Sequence, residues 1–317
     1  MDIMNEAIRG EAMKLGFAHC GFAKAEPLDH LRDFYTSFIA AGKQQTFSYF
    51  DSNAEKRLDP SLLFPGVKSV IALLMNYYPP EIIPAADNYI ISKYAWGADY
   101  HQVLRDRMDT LIPFINRFQP GTSSRIFVDS GLLFEKAWAM RCGLGWQGKN
   151  TLLINKNGGS FYFIGILLTN LELQPDQAET DHCGECNICR EACPTGALEN
   201  PYELNIGKCI SYFTIESKVE VPAEIKRHLN DRIYGCEICQ DACPYNLFSG
   251  ADQNTVFAAS PELMKMRKAN WQALTEDQFN QLFEHSAIKR RGYQLLKRNI
   301  INTLSPGERT EFESGQG

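Results

Sequence analysis

The cysteines are the feature that most constrains this 317-residue chain, since eight of its ten cysteines lie between positions 183 and 243. Two runs in this window end alike: Cys183-x2-Cys186-x2-Cys189-x3-Cys193-Pro194 and, after a separate Cys209, Cys236-x2-Cys239-x3-Cys243-Pro244. The first run has the spacing of bacterial ferredoxins that bind a 4Fe–4S cluster, and the second repeats its last three positions. The spacing therefore predicts two 4Fe–4S clusters.

The ligands of each cluster follow from the cysteine that precedes proline. In two-cluster ferredoxins this fourth cysteine ligates the other cluster. The rule predicts two sets of ligands, Cys183, Cys186, Cys189 and Cys243 for one cluster and Cys193, Cys209, Cys236 and Cys239 for the other. The two remaining cysteines, Cys20 and Cys142, are expected to be small buried side chains and not ligands.

Zinc and disulfides are the alternatives for these cysteines. Zinc sites pair two Cys-x2-Cys units across a longer spacer, so three cysteines from Cys183 to Cys189 would crowd one zinc ion. A disulfide framework needs an oxidising compartment and is usual in small secreted domains. Iron and sulfide analysis of the protein would separate these interpretations.

Charge is distributed unevenly, although the net charge is only −6. Residues 171–205 contain eight acidic residues and a single basic one, Arg190. Residues 286–304 contain five basic residues and no acidic one. A basic stripe in an acidic protein indicates a polyanionic partner, and a solvated helix face with a charge bias is the alternative.

Hydrophobic patterns in the first 175 residues indicate a mixture of helices and strands. We expect helices at 2–15 and 101–118, a buried strand at 67–77, a short strand at 126–128 that runs into Asp129, and a following helix that passes Met140 and stops near Gly143. Asn157-Gly158 predicts a hairpin between Thr151–Asn155 and Ser160–Thr169. Together these elements predict an α/β or α+β domain.

The rest of the chain divides into a cluster module and a helical segment. We predict domains at 1–175, 176–250 and 251–317. In the last, Thr275 and Gln278 form a capping-box pattern, 286–304 reads as a helix, and the tail from Ser305 is expected to be frayed or disordered.

No targeting or membrane segment is recognisable in the sequence. The N-terminus carries acidic residues, unlike a secretory signal. The longest apolar run, Phe161 to Leu168, is far shorter than the ~18 residues of a membrane span. We therefore expect a cytoplasmic protein that does not contact membranes.

Five segments of the chain carry a recognisable pattern in a fixed order. They are YAWGADYH (94–101), VDSGLLFEKAWAMRCGLGWQGKNTLLI (128–154), CGECNICREACPTGAL (183–198), CISYFTIE (209–216) and YGCEICQDACPYN (234–246). Together they resemble the epoxyqueuosine reductases. The resemblance runs from about Arg57 to Arg298 and so covers most of the chain.

The resemblance implies a fold, an activity and cofactors. The fold class would be α+β, with an N-terminal α/β cobalamin-binding domain, a ferredoxin-like two-cluster module and a short HEAT-like helical segment. The activity would be reduction of epoxyqueuosine to queuosine at the wobble position of tRNAs with GUN anticodons, those for Asp, Asn, His and Tyr. It would use base-off cobalamin and two 4Fe–4S clusters, with electrons from an external donor such as a flavodoxin or ferredoxin. We expect a monomer.

The resemblance also assigns roles to residues outside the cysteine window. Asp129 would be the general acid, with its pKa raised by burial; the alternative is a helix N-cap. Further cobalamin contacts would be Arg57, Ala95, Trp96, Lys149, Asn150 and Ser211, each of which has a purely structural alternative such as a loop or a turn cap. Contacts with tRNA would be Lys218, Arg290, Arg291, Lys297 and Arg298.

Two other functions share some of these features. A corrinoid-dependent reductase or dehalogenase of a small molecule would have the same cofactors but no basic surface near its pocket. A plain electron carrier would have the clusters but no need for a large N-terminal domain.

Overall fold

The computed structural model describes residues 3–43, 53–129, 132–251, 255–305 and 307–309. Most of the tail for which disorder is predicted, residues 306 and 310–317, lies outside the described residues.

The strands of the described residues form three sheets. Their bounds are β1 His19–Lys24, β2 Ser69–Asn76, β3 Ile90–Ile91, β4 Ser124–Phe127, β5 Trp146–Gln147, β6 Leu153–Ile154, β7 Tyr162–Thr169 and β8 Arg232–Tyr234. The main sheet is antiparallel with the order β1-β2-β7-β4. Two smaller sheets pair β3 with β8 in parallel and β5 with β6 antiparallel.

Helices surround these sheets. Their bounds are α1 Ile3–Lys14, α2 Arg32–Ala40, α3 Ala54–Leu58, α4 Tyr100–Ile115, α5 Glu135–Arg141, α6 Ile188–Ala192, α7 Ala223–Lys226, α8 Ile238–Asp241, α9 Pro261–Lys265, α10 Lys268–Gln272, α11 Glu276–Leu282 and α12 Tyr293–Thr303. The 3-10 turns are Asp29–Leu31, Pro60–Leu62, Lys93–Ala95, Ile206–Lys208, Pro244–Phe248, Thr255–Phe257 and Ala287–Arg291, and Tyr212–Glu216 is a π-helix.

Strand β2 confirms the buried strand predicted at 67–77 and explains why its sequence is apolar throughout. It lies inside the main sheet, and both faces of the sheet are covered. Ile71 and Leu73 pack in one core with α1 and α4. Val70 and Ala72, which point to the other face, pack in a second core with α5. A strand covered on both sides reads as a continuous apolar run.

Helices α1 and α4 confirm the predicted helices at 2–15 and 101–118, with ends that differ by one to three residues. In α1 the buried face consists of Asn5, Ile8 and Ala12, whereas Ile3 at the start of the helix is 87% exposed. In α4 the N-cap is Asp99, whose side chain accepts a hydrogen bond from the backbone N–H of His101.

Helix α5 ends as the sequence predicts. Gly143 has a φ of +74°, and its N–H donates to Met140 while that of Leu144 donates to Ala139. This is the Schellman pattern, which favours glycine at that position. A Cβ at Gly143 would also lie 2.5 Å from the carbonyl oxygen of Gln177, so the position excludes larger residues.

The predicted hairpin is wrong in its strand pairing. A tight turn does form at Asn157-Gly158, closed by a bridge between Asn155 and Gly159. However, β6 pairs with β5, and β7 pairs with β2 and β4. The long apolar β7 satisfies its backbone on both edges inside the main sheet, which leaves the two-residue β6 to pair elsewhere.

The repeated cysteine runs form a repeated structure. Helices α6 and α8 occupy equivalent places in the two runs and pack against each other. Cys193 and Cys243, each before a proline, have extended backbones with ψ of 111° and 124°. A residue before proline is driven into this conformation, so each fourth cysteine leaves its own loop as predicted.

The C-terminal segment confirms one prediction and corrects another. Thr275 and Gln278 form the capping box at the start of α11. The single helix predicted at 286–304 is wrong, because a 3-10 turn at Ala287–Arg291 is separated from α12 by Gly292, which has a φ of +79°. A right-handed helix cannot continue through a positive φ.

The hydrophobic cores cross the predicted domain divisions. Ile91, Ala95 and Trp96 pack with Ile233 and with helices α9 to α12. The described elements are α+β, as predicted. Among them, no helix is both long and apolar enough to span a membrane.

Candidate active site and cluster cavities

A cavity of about 1190 Å³ opens at the end of the main sheet, where β2 ends and β7 begins. Its walls come from α2, the start of α5 and residues 202–206 of the cluster module. Tyrosines supply much of the lining: Tyr35, Tyr77, Tyr94, Tyr100, Tyr162 and Tyr202. The charged lining residues are Lys43, Arg57, Asp129, Glu135, Lys136, Glu203, Glu216 and Arg290. This is the concave, largely apolar surface with a few polar groups that is typical of a site for a large ligand.

Arg57 is a buried charge in the wall of this cavity. Its residue is 2% exposed, although it lies on the short helix α3. Burying a guanidinium is costly unless polar groups surround it. The structure therefore places Arg57 in the lining of the cavity, and its predicted contact with cobalamin stays a prediction.

Asp129 follows β4 in a strained backbone conformation. Its φ is +39°, a region that non-glycine residues rarely occupy and that often marks functional sites. The N-cap alternative is excluded, because α5 begins at Glu135 with Phe134 as the N-cap residue and without a side-chain cap.

Two polar side chains face the Asp129 carboxylate, and a third supports one of them. The hydroxyl of Tyr100 donates to Oδ2 of Asp129, and Nε2 of His101 lies 3.7 Å from the same oxygen. Nδ1 of His101 lies 2.7 Å from Oδ1 of Asp99. The imidazole thus bridges two carboxylates, one of which faces the cavity.

These contacts shift the pKa values of Asp129 and His101 away from their ordinary values. Burial raises the pKa of Asp129, but the hydrogen bonds from His101 and Tyr100 lower it below its usual value. Burial is the largest single effect on this pKa, but the contacts with His101 and Tyr100 and the charge of Arg290 together outweigh it, and the side chain of Asp129 is 62% exposed because it points into the open cavity. The expectation of a raised pKa at Asp129 is therefore wrong. Burial lowers the pKa of His101, yet its bonds to Asp129 and Asp99 raise it to about 9.

Glu135 completes the group from the first turn of α5. Its Oε1 accepts the backbone N–H of Asp129 at 2.6 Å. Burial and the neighbouring charge of Asp129 raise the pKa of Glu135 to about 8. The site therefore holds a carboxylate, an imidazolium and a neutral carboxylic acid at neutral pH.

Sequence reasoning missed Tyr100, His101 and Glu135 as members of the site. All three lie within the two segments of the resemblance at 94–101 and 128–154. Their place within these segments was the sequence feature that could have identified them as site residues. Only the fold shows that they meet around Asp129.

The cysteines meet in the two predicted groups. Cys183, Cys186, Cys189 and Cys243 line one cavity of about 320 Å³. For the other group, burial raises the pKa of Cys239, and the nearby thiols of Cys209, Cys236 and Cys193 raise it further. Within the described ranges, no three His, Cys, Asp or Glu side chains form a site for a single metal ion. The cavity among the first four thiols is much larger than one zinc ion, bound at about 2.3 Å from sulfur, would need.

Several N–H groups point at the sulfurs. Nε1 of Trp146 donates to Sγ of Cys183 at 3.4 Å, and the N–H of Ala197 donates to Sγ of Cys193 at 3.3 Å. Burial raises the pKa of Cys209, while the backbone N–H groups of Tyr212 and Ser211 lower it. Such donors around cysteine sulfur are typical of iron–sulfur sites, where they set the reduction potential.

Lys149 and Asn150 join the N-terminal part of the chain to the cysteine loops. Nζ of Lys149 donates to the carbonyl of Gly184 at 2.6 Å. Nδ2 of Asn150 donates to the carbonyl of Cys239 at 3.2 Å. Both line the cavity of the first cysteine group and neither lines the large cavity. The structure therefore places these two predicted cobalamin contacts beside the cluster sites.

Ala95, Trp96 and Ser211 also lie away from the lining of the large cavity. Ala95 is fully buried, and Trp96 is 7% exposed with its Nε1 bonded to the carbonyl of Ile91. The neighbouring Tyr94 lines the cavity instead. The backbone N–H of Ser211 points at the sulfur of Cys209, so Ser211 lies beside the second cysteine group.

The predicted basic residues differ in their surroundings. Arg290 lines the large cavity and lies 3.8 Å from Glu216, which also pairs with Arg291. Lys218 is exposed, and Nζ of Lys297 lies 5.7 Å from the ring centre of Tyr293.

Arg298 has an internal role. Its guanidinium donates to the carbonyls of Phe213 at 2.6 Å, Ser217 at 2.8 Å and Val219 at 3.3 Å. With these donors engaged, Arg298 holds α12 against the segment that carries Lys218. The prediction that Arg298 contacts tRNA is therefore replaced by this structural role.

Two family models match this chain. One, described as epoxyqueuosine reductase QueG, matches residues 57–130. The other, described as a 4Fe–4S double cluster binding domain, matches residues 182–246. The first match ends beside Asp129, and the second contains all eight cysteines of the two groups.

Solved structures of similar chains have the same fold. One is a crystal structure of an epoxyqueuosine reductase with an epoxyqueuosine-modified stem loop of tyrosine tRNA, with a TM-score of 0.87, 32% identity, and coverage of 94% of this chain and 80% of that one. Another, an epoxyqueuosine reductase from Bacillus subtilis with its catalytic aspartate loop swung out of the active site, has a TM-score of 0.87, 31% identity, and coverage of 98% and 83%.

The similarity in sequence is equally extensive. An epoxyqueuosine reductase from Cellulophaga algicola is 43% identical over 296 residues, which cover 93% of this chain and 96% of that protein. With this identity along nearly the whole length, the same fold and the double cluster motif, the chain belongs to the epoxyqueuosine reductase family.

Proposed function

We propose that this protein reduces epoxyqueuosine to queuosine at the wobble position of tRNAs with GUN anticodons. Removing the epoxide oxygen to leave an alkene consumes two electrons and two protons and releases one water. The observation that carries the proposal is the Asp129 site, where a strained aspartate bonded to Tyr100 and facing His101 lies in a cavity between the main sheet and the cysteine module. The names of the relatives and the tRNA stem loop bound by a solved one support the substrate.

The large cavity is where we propose that cobalamin binds. The volume of about 1190 Å³ exceeds the usual range for small ligands, and the buried Arg57 and the tyrosine hydroxyls can meet the amides of a corrin. When bound, cobalamin supplies a strongly reducing metal centre. Arg57, Tyr94 and Gln147 are the side chains that we propose hold it, because they line this cavity.

The cysteine groups would each hold one 4Fe–4S cluster, which supplies single electrons. Their grouping supports this proposal, as does the match to a double cluster domain. Lys149 and Asn150 would keep the two loops against the N-terminal part of the chain, through Gly184 and Cys239.

Asp129 is the residue that we propose delivers a proton to the leaving oxygen. Its carboxylate faces the cavity, and His101 behind it is protonated at neutral pH because of its raised pKa. The two groups share a proton, and Asp99 holds the imidazole in place from the other side. Glu135, through the N–H of Asp129, fixes the strained backbone that aims the carboxylate.

The basic residues beside the cavity would bind the phosphates of tRNA. Arg290 lines the cavity itself, Lys218 is exposed two residues after the lining residue Glu216, and Lys297 is partly exposed on α12. Arg291 would act with Arg290 through their shared partner Glu216. These charges favour a polyanionic substrate over the small molecule of a dehalogenase.

The test is conversion of tRNA that contains epoxyqueuosine, followed by mass spectrometry of its nucleosides. The assay uses protein that has been loaded with cobalamin and both clusters, and a chemical reductant supplies the electrons. Asp129→Asn should lose about 10²–10⁴-fold in rate while its cobalamin spectrum is unchanged. Asp277→Asn, on the exposed first turn of α11, is the matched control and should retain full activity. No conversion by the loaded wild-type protein would refute the function, and full activity of Asp129→Asn would remove Asp129 from the chemistry.

A further inference from the structure

The cavity of the first cysteine group reaches the protein surface beside exposed apolar residues. Cys186 is exposed, and Phe248, which lines the same cavity, is 64% exposed. Leu247 is next to Phe248 and is 85% exposed, and Ile188, between Cys186 and Cys189, is 46% exposed. We refer to Cys186, Ile188, Leu247 and Phe248 as the donor face. Large apolar side chains that remain exposed together are typical of binding surfaces.

The second cysteine group faces in a different direction. Cys209 is half-buried and packs with Ile206, which lines the large cavity. The first group therefore meets the surface, and the second lies next to the proposed active site. A protein that brings electrons from outside would contact the donor face.

The surroundings of the donor face are acidic. Glu185 and Glu191 are exposed on the loop and helix that carry Cys186 and Cys189. Two basic side chains of this region are engaged with carbonyl groups: Arg190 donates to Leu198 and Glu199, and Lys149 donates to Gly184. A tRNA backbone would be repelled here, since its phosphates carry the same sign of charge.

We propose that the donor face docks a one-electron redox protein whose contact surface is apolar at its centre and basic at its rim. This inference rests on the proposed function, because the reduction consumes two electrons and so needs two such encounters, each of which leaves the donor oxidised by one electron. It favours a donor with positive charges around its redox centre over an acidic flavodoxin, one of the donors expected from the resemblance. Complementary charges steer such partners together and suppress partners with the same sign of charge.

Binding to two redox proteins of opposite charge tests the proposal. Calorimetry would measure the association of the cluster-loaded protein with a basic cytochrome c and with an acidic flavodoxin at several salt concentrations. We expect cytochrome c to bind more tightly at low salt and to weaken as salt is added. The double variant Glu185→Lys, Glu191→Lys should weaken this binding by about tenfold or more. Glu262→Lys, exposed on α9, is the control for charge and should bind as wild type.

The apolar part of the donor face is tested by a second variant with its own matched control. Leu247→Gln should weaken the binding of cytochrome c several-fold, and Ile82→Gln, at a site 50% exposed elsewhere, should have no effect. Tighter binding of the flavodoxin, or unchanged binding by the double variant, would overturn the proposal. A change in sedimentation coefficient on Leu247→Gln would overturn it too, because it would show that the face joins two copies of this chain.

Failure of this inference is distinguishable from failure of the proposed function. Iron content and conversion of epoxyqueuosine with a chemical reductant do not depend on docking. A protein that passes both tests but shows no preference for cytochrome c would overturn the donor face alone.

Discussion

Replacing His101 by glutamine tests whether the imidazole and Asp129 share a charge. The pKa of His101 rises from 6.5 to about 9, which corresponds to roughly 3 kcal/mol at 1.36 kcal/mol per unit. Because the Asp129 side chain is 62% exposed, solvent screens part of this interaction, and about 1–2 kcal/mol is the better estimate. Glutamine can still form hydrogen bonds but carries no charge.

Because the pKa of His101 is raised in the folded protein, its contribution to stability depends on pH in a defined direction. A raised histidine pKa stabilises the folded state fully below the unfolded value of about 6.5, and this stabilisation is lost as the pH rises to about 9. His101→Gln should therefore unfold at a lower temperature than wild type at pH 6, by about 1–3 °C for a chain of this length. Above pH 9 the two proteins should unfold together.

Thermal unfolding at pH 6, 7.5 and 9.5 under anaerobic conditions would measure this. His285→Gln, at an exposed histidine, is the matched control and should follow wild type throughout. A difference between His101→Gln and wild type that is constant from pH 6 to 9.5 would refute the charge-sharing argument. In turnover assays, the wild-type rate should fall as the pH rises above about 9, and His101→Gln should lose this decline.

Three further predictions concern other parts of the structure. Glu135, whose pKa is raised to about 8, binds a proton that the unfolded chain releases above about 4.5, so Glu135→Gln should gain melting temperature relative to wild type as the pH rises from 5 to 8. Arg298→Ala leaves three carbonyl groups without their donor and should lower the free energy of chemical unfolding by about 2–4 kcal/mol. Lys297→Ala should change stability little but reduce the salt dependence of tRNA binding. Trp146→Phe removes the N–H donor to Cys183, and redox titration followed by EPR should show a lower potential for one cluster only.

The sequence determined the features that depend on neighbouring residues. The Cys-Pro pairs set the extended backbones of Cys193 and Cys243, because proline restricts the residue before it. The capping box at Thr275 and the positive φ of Gly143 were predictable for the same reason, since caps act within one turn. The apolar run of β2 predicted a buried strand but did not predict which strands lie beside it in the sheet.

Only the tertiary structure decided which distant groups meet. Asp129 and His101 are 28 positions apart and come from different elements, so no local pattern encodes their contact. Arg298 belongs to a basic stripe in the sequence, yet packing turns its guanidinium towards three carbonyls of another segment. Strand β7 pairs with β2 and β4, and not with the adjacent β6, because the whole sheet determines where a long apolar strand can satisfy both of its edges. Local residues set backbone conformation, whereas long-range packing sets partners, and the proposed chemistry of Asp129 depends on its partners.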